Sequence, residues 1–210
     1  MSKGILAVVS GFSGAGKGTM MKALMERYDN YALSVSATTR DPRPGERHGI
    51  EYFFLKQEEF DRMVRDDAFI EYAAYVNHSY GTPRAFVEEQ LKAGKDVILE
   101  IEIQGALQVK KNCPDALLLF VTPPDAEELE RRLTGRGTET KEVIAGRMAR
   151  AVEEAEGIEA YDYLIINDDL EESVKKMHEI IQSQHETIKN QRGLIERIRS
   201  ELKERKESKA

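Results

Sequence analysis

Apolar residues fall into short runs at 5–10, 97–103, 117–122 and 163–167, whose interiors are apolar without alternation except at Glu100 and Glu102 in the second. Strands of that kind have both faces buried, which is the condition of a parallel sheet covered by helices on each side. Helical spacing of apolar positions follows at 17–28, 83–93, 125–134, 140–156 and from about 169 onward. Two of these helices have legible starts: Asp125 with Glu128 after Pro123-Pro124, and Asp169 with Glu172, each have the form of a capping box. The pattern predicts an α/β fold, a parallel sheet flanked by helices.

Between 32 and 80 the rhythm changes. Short β-like pieces at 52–55 and 69–72 flank one helical stretch at 57–66, which reads as an inserted lobe. A second interruption, the glycine-rich stretch 134–138, precedes a helix carrying Arg147 and reads as a lid, with a plain helix-to-helix turn as the alternative. The partition expected is one domain over 1–210: a core of 1–33, 83–133 and 148–184, a lobe at 34–82, a lid at 134–147 and an extended C-terminal helix at 185–210.

The first apolar run leads directly into Gly11-Phe12-Ser13-Gly14-Ala15-Gly16-Lys17-Gly18-Thr19. A glycine-rich turn between a strand and a helix exposes backbone N–H groups and the positive helix end, and a lysine adds a point charge; together these cradle a polyphosphate. The expected fold is therefore P-loop NTPase-like and the expected ligand a nucleoside triphosphate. Gly18 stands where the GxxxxGK[ST] pattern has the hydroxyl that ligates Mg²⁺, and Thr19 follows one residue later.

Length and charge narrow the class. At 210 residues with a formal net charge of −7, the chain suits one α/β domain and argues against general nucleic-acid binding. The charge is uneven: residues 189–210 stand at +4 and the preceding body at −11. One cysteine, Cys113, excludes an internal disulfide and fits a reducing compartment. With no apolar stretch approaching the roughly 20 residues of a membrane span, and no apolar leader before the first strand, a cytoplasmic protein without membrane contact is expected.

In the lobe, the stretch 34–52 sets hydroxyls and arginines around stiffening prolines, and the forked donors of Arg40 and Arg43 suit phosphate oxygens. Six motifs then occur in order: GxSGxGKGT, SVSATTRDPRPGE, FIEYA with YGT, LEIEIQGA, GRGTE and INDDL. Over most of the chain, from Ile5 to about Ile181, this sequence resembles guanylate kinase. The resemblance implies transfer of the γ-phosphoryl of ATP to GMP, and to dGMP, with Mg²⁺, in purine nucleotide metabolism. It implies that Ser36, Arg40, Arg43, Tyr52 and Tyr80 hold the GMP phosphate while Glu71 and Thr82 face guanine. It further implies that Arg132, Arg136 and Arg147 close over the transferred phosphate and that Asn167 lies on the adenine side. Lys17, Arg40, Arg136 and Arg147 are the catalytic candidates.

Hydrogen-bond chemistry agrees with the base assignment. A carboxylate at Glu71 accepts from guanine N1–H and N2–H₂, whereas adenine presents an acceptor at N1 and lacks the N2 donors. Glu100 and Glu102 lie at the end of the second apolar run, expected on one strand face at the carboxyl edge of the sheet, where open α/β folds bind ligands. Glu100 and Thr19 are the Mg²⁺ candidates, acting through water; Glu100 and Glu102 are also counted with the GMP-binding residues, Glu102 contacting the nucleotide acceptor from a position where the family commonly has Asp. No general base or nucleophile is required, because phosphoryl transfer of this kind rests on alignment and electrostatics. His48, His78 and Cys113 read as packing or surface residues, with no donors at metal-ligand spacing beside them.

Ile181, Ile188, Ile195 and Leu202 recur every seventh residue. That is half a coiled-coil seam, open to two readings: a homodimer through the C-terminal helix, or a helix packed along its own domain and weakened by Gly193. Two other functional classes compete with catalysis. A guanylate-kinase-like peptide-binding module would lack the intact phosphate loop present here, and a kinase for another nucleoside monophosphate would not pair Glu71 with Thr82.

Overall fold

A computed structural model describes residues 3–75, 77–135 and 141–208. The apolar runs form the middle of a five-stranded parallel sheet. β1 (Leu6–Gly11) lies at its centre between β7 (Asp96–Glu100) and β8 (Leu117–Thr122), with β2 (Tyr31–Leu33) and β9 (Tyr163–Ile166) at the two edges. Along β1, Ala7 and Val9 face one layer and Leu6 and Val8 the other, so the run must be apolar throughout. On the first face Met20, Met21 and Leu24 of α1 (Lys17–Arg27) pack with Val174, Met177 and Ile181 of α7 (Leu170–His185). On the second face lie Val87 and Leu91 of α3 (Arg84–Lys92) and Ala106 and Val109 of α4 (Ile103–Asn112).

The inserted segment builds a sheet of its own, in the order β4 (Phe53–Phe54), β3 (Ala37–Thr38), β6 (His78–Pro83) and β5 (Phe69–Tyr75). β6 is antiparallel to both β3 and β5, and α2 (Gln57–Arg65) covers the sheet by stacking Phe60 on Phe69 with ring centroids 4.6 Å apart. Helix α4 ties the lobe to the core: the Asn112 amide donates to the Ile70 carbonyl at 2.8 Å while Ala106 and Val109 stay in the core layer.

Two expectations about elements are corrected. The run 97–103 is strand only to Glu100, after which Glu102 takes the N-cap position of α4. The chain turns because Ile101 ends the pairing, its N–H donating to Val9 O and its carbonyl accepting the Ser10 hydroxyl at 2.7 Å. The C-terminal segment is likewise two helices, α7 and α8 (Arg192–Glu207), separated by a turn at 186–191. Side-chain amides close that turn, Asn190 onto Gln184 O at 2.8 Å and Gln191 onto His185 O at 2.9 Å. The seven-residue repeat is therefore not one stripe: Ile181 is in the core, whereas Ile188 is 77% exposed in the turn. Both anticipated caps form, with Asp125 accepting from Glu128 N–H at 2.7 Å to start α5 (Ala126–Thr134) and Asp169 from Glu172 N–H at 2.9 Å to start α7. Helix α6 (Lys141–Ala155) begins inside the stretch 134–147 expected as a lid, of which 136–140 lie outside the described residues.

Candidate functional site

The carboxyl end of β1 opens into the glycine-rich loop. A Cβ at Gly11 would overlap the Val121 carbonyl on β8, and Gly16, at φ 91°, would place one 2.5 Å from the Asn167 side-chain nitrogen. Only glycine fits either position. Gly16 is also the N-cap of α1 and has no side chain to cap it, so the first N–H groups of the helix stay open toward the cleft. Asn167, buried at the end of β9, donates to Ala15 O at 2.8 Å and fastens the loop to the sheet. The Lys17 ammonium folds over the loop onto Gly11 O at 2.7 Å and Phe12 O at 3.1 Å.

Two cavities meet in front of this loop. The larger, about 560 Å³, is lined by Gly11, Ser13 and Lys17 of the loop together with Glu100, Glu102 and Arg147. The smaller, about 250 Å³, holds Glu71, Tyr80, Gln104 and Gly105. Ser36, Tyr52, Glu100, Ile101 and Glu102 line both, so the cavities are neighbouring compartments of one cleft between the two sheets. Arg147 on α6 reaches Ser13 on the phosphate loop, its guanidinium donating to the hydroxyl at 2.9 Å.

Glu71 is a buried carboxylate on β5. The Thr82 hydroxyl on β6 donates to its Oε1 at 2.7 Å. Burial raises its pKa above the ordinary carboxylate value, and hydrogen bonds from the Thr82 hydroxyl and backbone oppose that rise. Glu100 remains solvent-accessible along the cleft, yet the protein around its carboxyl raises its pKa too, with Lys17 pulling the other way. Arg40 donates to Glu46 at 2.9 Å and lies 5.4 Å from the Tyr52 ring centroid. Its charged form is stabilised chiefly by the Glu46 hydrogen bond. A fork engaged with a carboxylate in this way has the geometry that also serves phosphate.

The cleft thus gathers Gly11, Ser13, Lys17, Ser36, Tyr52, Glu71, Tyr80, Glu100, Glu102 and Arg147, with Thr82 behind Glu71. Gly18 and Thr19 are exposed on α1 and line neither cavity, and Arg43 is exposed in the loop before β4. Arg132 is held by Glu128 at 2.6 Å, on a separate surface depression that includes Asp168. Arg136 lies outside the described residues. The strand argument that placed Glu100 and Glu102 on one face is corrected: Glu100 ends β7, whereas Glu102 belongs to the start of α4 and is paired with Arg150 of α6. Sequence reasoning missed Arg150, Gln104 and Gly105 as cleft residues. Arg150 follows Arg147 by three residues on one helix, a spacing that could have announced it.

The donor set fits a hard cation accompanying a nucleotide. Glu100 and the Ser13 hydroxyl offer oxygen, and phosphate oxygens with water would complete the shell Mg²⁺ prefers. Among the described residues no group of three or more His, Cys, Asp or Glu is arranged to hold a metal without such help. His48 instead meets the Phe53 ring edge-on, and Cys113 is a half-buried free thiol packed against the second core layer.

Comparison with known proteins converges on one family. The family profile described as guanylate kinase matches residues 3–184. The chain is 50% identical over 181 residues to the guanylate kinase of Clostridioides difficile, covering 86% of this chain and 88% of that one. It is 47% identical over 199 residues to that of Caldanaerobacter subterraneus subsp. tengcongensis, covering 95% and 97%. Among solved structures, the guanylate kinase of Anaplasma phagocytophilum superposes with a TM-score of 0.71 at 32% identity, over 89% of each chain.

Proposed function

This chain belongs to the guanylate kinase family and catalyses the ATP-dependent phosphorylation of GMP to GDP, and from that premise we propose how its cleft divides the work. ATP places its β and γ phosphates in the larger compartment, against the glycine-rich loop, the open end of α1 and the Lys17 ammonium. GMP enters the smaller compartment with guanine toward Glu71 and Thr82 and its phosphate toward Ser36, Tyr52, Tyr80 and Arg40. Arg40 exchanges Glu46 for that phosphate, and Arg43 joins it as the loop closes. We assign the second sheet, spanning 37–83, to the GMP-binding lobe expected over 34–82, and 134–147 to a lid over the cleft.

The acceptor oxygen of GMP and the γ-phosphorus of ATP meet near Ser13, Lys17 and Arg147, which lie on one wall of the larger compartment. Transfer through a loose transition state needs alignment, exclusion of water and positive charge, and Lys17 and the arginines of α6 and the lid supply the charge. Mg²⁺, held by the triphosphate and reached by Glu100 through water, would neutralise the charge shared between the β and γ phosphates when bound. Arg132 and Asn167 border the adenosine side. dGMP serves as a second acceptor, because the assigned contacts address base and phosphate. No helix among the described residues is long and apolar enough to cross a membrane; action in the cytoplasm on free nucleotides, without nucleic acid, is the reading suited to the net charge of −7 and to the family's substrates. Association of two chains through α8 would have to use Leu194, Ile198 and Leu202, because the turn at 186–191 interrupts the longer seam.

The observation that carries this reading is the buried Glu71–Thr82 pair opening into a compartment contiguous with the phosphate loop. A site built on buried hydrogen bonds discriminates by about 10⁴ to 10⁵ between matched and unmatched bases. A coupled ADP-release assay should therefore give turnover with GMP and dGMP and little with AMP, CMP or UMP. Comparable kcat/KM for AMP would overturn the assignment of the smaller compartment.

A further inference from the structure

Gly105 is the third residue of α4, and its backbone does not call for glycine: it is absent from the glycines with positive φ among the described residues. A glycine inside a helix costs about 1 kcal/mol relative to alanine, so its presence calls for a steric reason. The surroundings supply one. A Cβ built on Gly105 would lie 2.9 Å from Glu71 Oε2, 3.4 Å from Glu71 Cδ and 3.2 Å from Ile101 Cδ1. At Gly18, Gly146 and Gly193, by contrast, a Cβ would meet nothing within 4 Å. The Glu71 carboxylate is thus enclosed from two sides. Thr82 on β6 holds Oε1 at 2.7 Å, and the bare first turn of α4 admits Oε2.

The first N–H groups of a helix lack intrahelical acceptors and carry positive partial charge, so a carboxylate against the first turn of α4 is favoured in its ionised form. Burial is what raises the Glu71 pKa, and the Thr82 hydrogen bonds oppose it. We propose that Gly105 is a specificity-determining position of this enzyme: by having no side chain it fixes where the Glu71 carboxylate stands, and hence whether both oxygens meet the N1–H and N2–H₂ edge of guanine. The inference rests on Glu71 being the guanine acceptor. An added methyl group must displace its neighbour by several tenths of an ångström, and the neighbour that yields is the end of a side chain. The consequence falls on substrate recognition, with little effect on the fold.

The test is Gly105→Ala, assayed beside Glu71→Gln with GMP and with inosine monophosphate, which keeps N1–H but lacks the N2 amino group. The alanine variant should unfold at nearly the same temperature as the parent and raise the KM for GMP about tenfold, a change of about 1.4 kcal/mol in binding. Its KM for ATP should stay within about twofold, and the preference for GMP over inosine monophosphate should narrow, because the N2 contact depends on carboxylate position. A folded Gly105→Ala enzyme with an unchanged GMP KM, while Glu71→Gln raises it, would overturn the role of Gly105 alone. Equal losses for the two acceptors would also overturn it, since they would mark a general distortion. An unchanged GMP KM in Glu71→Gln would remove the premise about Glu71 itself.

Discussion

As the proposed guanine acceptor, Glu71 is asked to do two things that oppose each other: it is buried, which excludes water from the base edge, and it must be ionised to accept two N–H donors. Burial raises its pKa from the ordinary 4.5. As pH falls through that raised value the carboxyl gains a proton, loses an acceptor and presents an O–H toward guanine N–H groups. The kcat/KM for GMP should therefore decline at a higher pH than an ordinary carboxylate would dictate, while the KM for ATP does not follow; a pH–rate profile with each substrate varied separately checks this. Stability runs the other way. A folded pKa above the unfolded one stabilises at low pH, and the contribution is lost as pH rises through the folded pKa. Glu71→Gln should thus bind GMP less well yet unfold no earlier at neutral pH. At Lys17 the expected separation is between substrates: Lys17→Ala should lower kcat by about a hundredfold or more, while GMP still titrates with near-parental affinity, as an equilibrium binding measurement would show. The glycine-rich loop between β1 and α1 was legible residue by residue because it is local, whereas the proposal of Glu71 as a base contact needed the neighbouring motifs, since an isolated strand glutamate has no signature.

Among the elements, the phosphate loop depends on parts distant in sequence. Asn167 at the end of β9 donates to Ala15 O, so the loop is held by β9 as well as by β1. Asn167→Ala leaves that buried carbonyl unpaired, at a cost of about 1–3 kcal/mol, and should raise the KM for ATP more than that for GMP while lowering the thermal midpoint. An equal rise for both nucleotides would contradict the loop-specific role. Helix α4 was the element that the sequence concealed. Its first residues continue the apolar run of β7 through Glu100-Ile101-Glu102-Ile103, and alternation there matches a strand as well as a strand-to-helix turn. Pairing decides between them: with Ile101 bonded to Val9 and Ser10, the ladder ends. The short β2 escaped notice for the opposite reason, its three residues being too few to show a period.

At the scale of the whole molecule, α7 is fastened to the sheet at the edge away from the cleft. Buried Asp96 accepts from Ile5 N–H, from the side chains of Asn30 and Gln182, and pairs with His185 at 2.8 Å. Cutting the chain after Gln184 would remove His185, whereas cutting after Gln191 preserves the cluster and the closing turn. Truncation after Gln191 should leave turnover, thermal midpoint and the number of chains per particle unchanged; loss of association in sedimentation would identify α8 as an interface. Truncation after Gln184 should lower the midpoint, because Asp96 loses a partner in a site that is 1% exposed.

The sequence by itself determined the parallel core, the glycine-rich turn from strand to helix, the separate β-rich segment that follows and the helix caps, because each depends on periodicity or on residues within a few positions of one another. Only the tertiary structure decided that β7 stops at Glu100, that the C-terminal heptads are divided by a turn, and that Arg150 joins Glu102 across the cleft. It also decided that a glycine of α4 gives room to a carboxylate on β5. These features depend on which surfaces meet after the two sheets are assembled, and a linear pattern of apolar and polar positions carries no record of that distance.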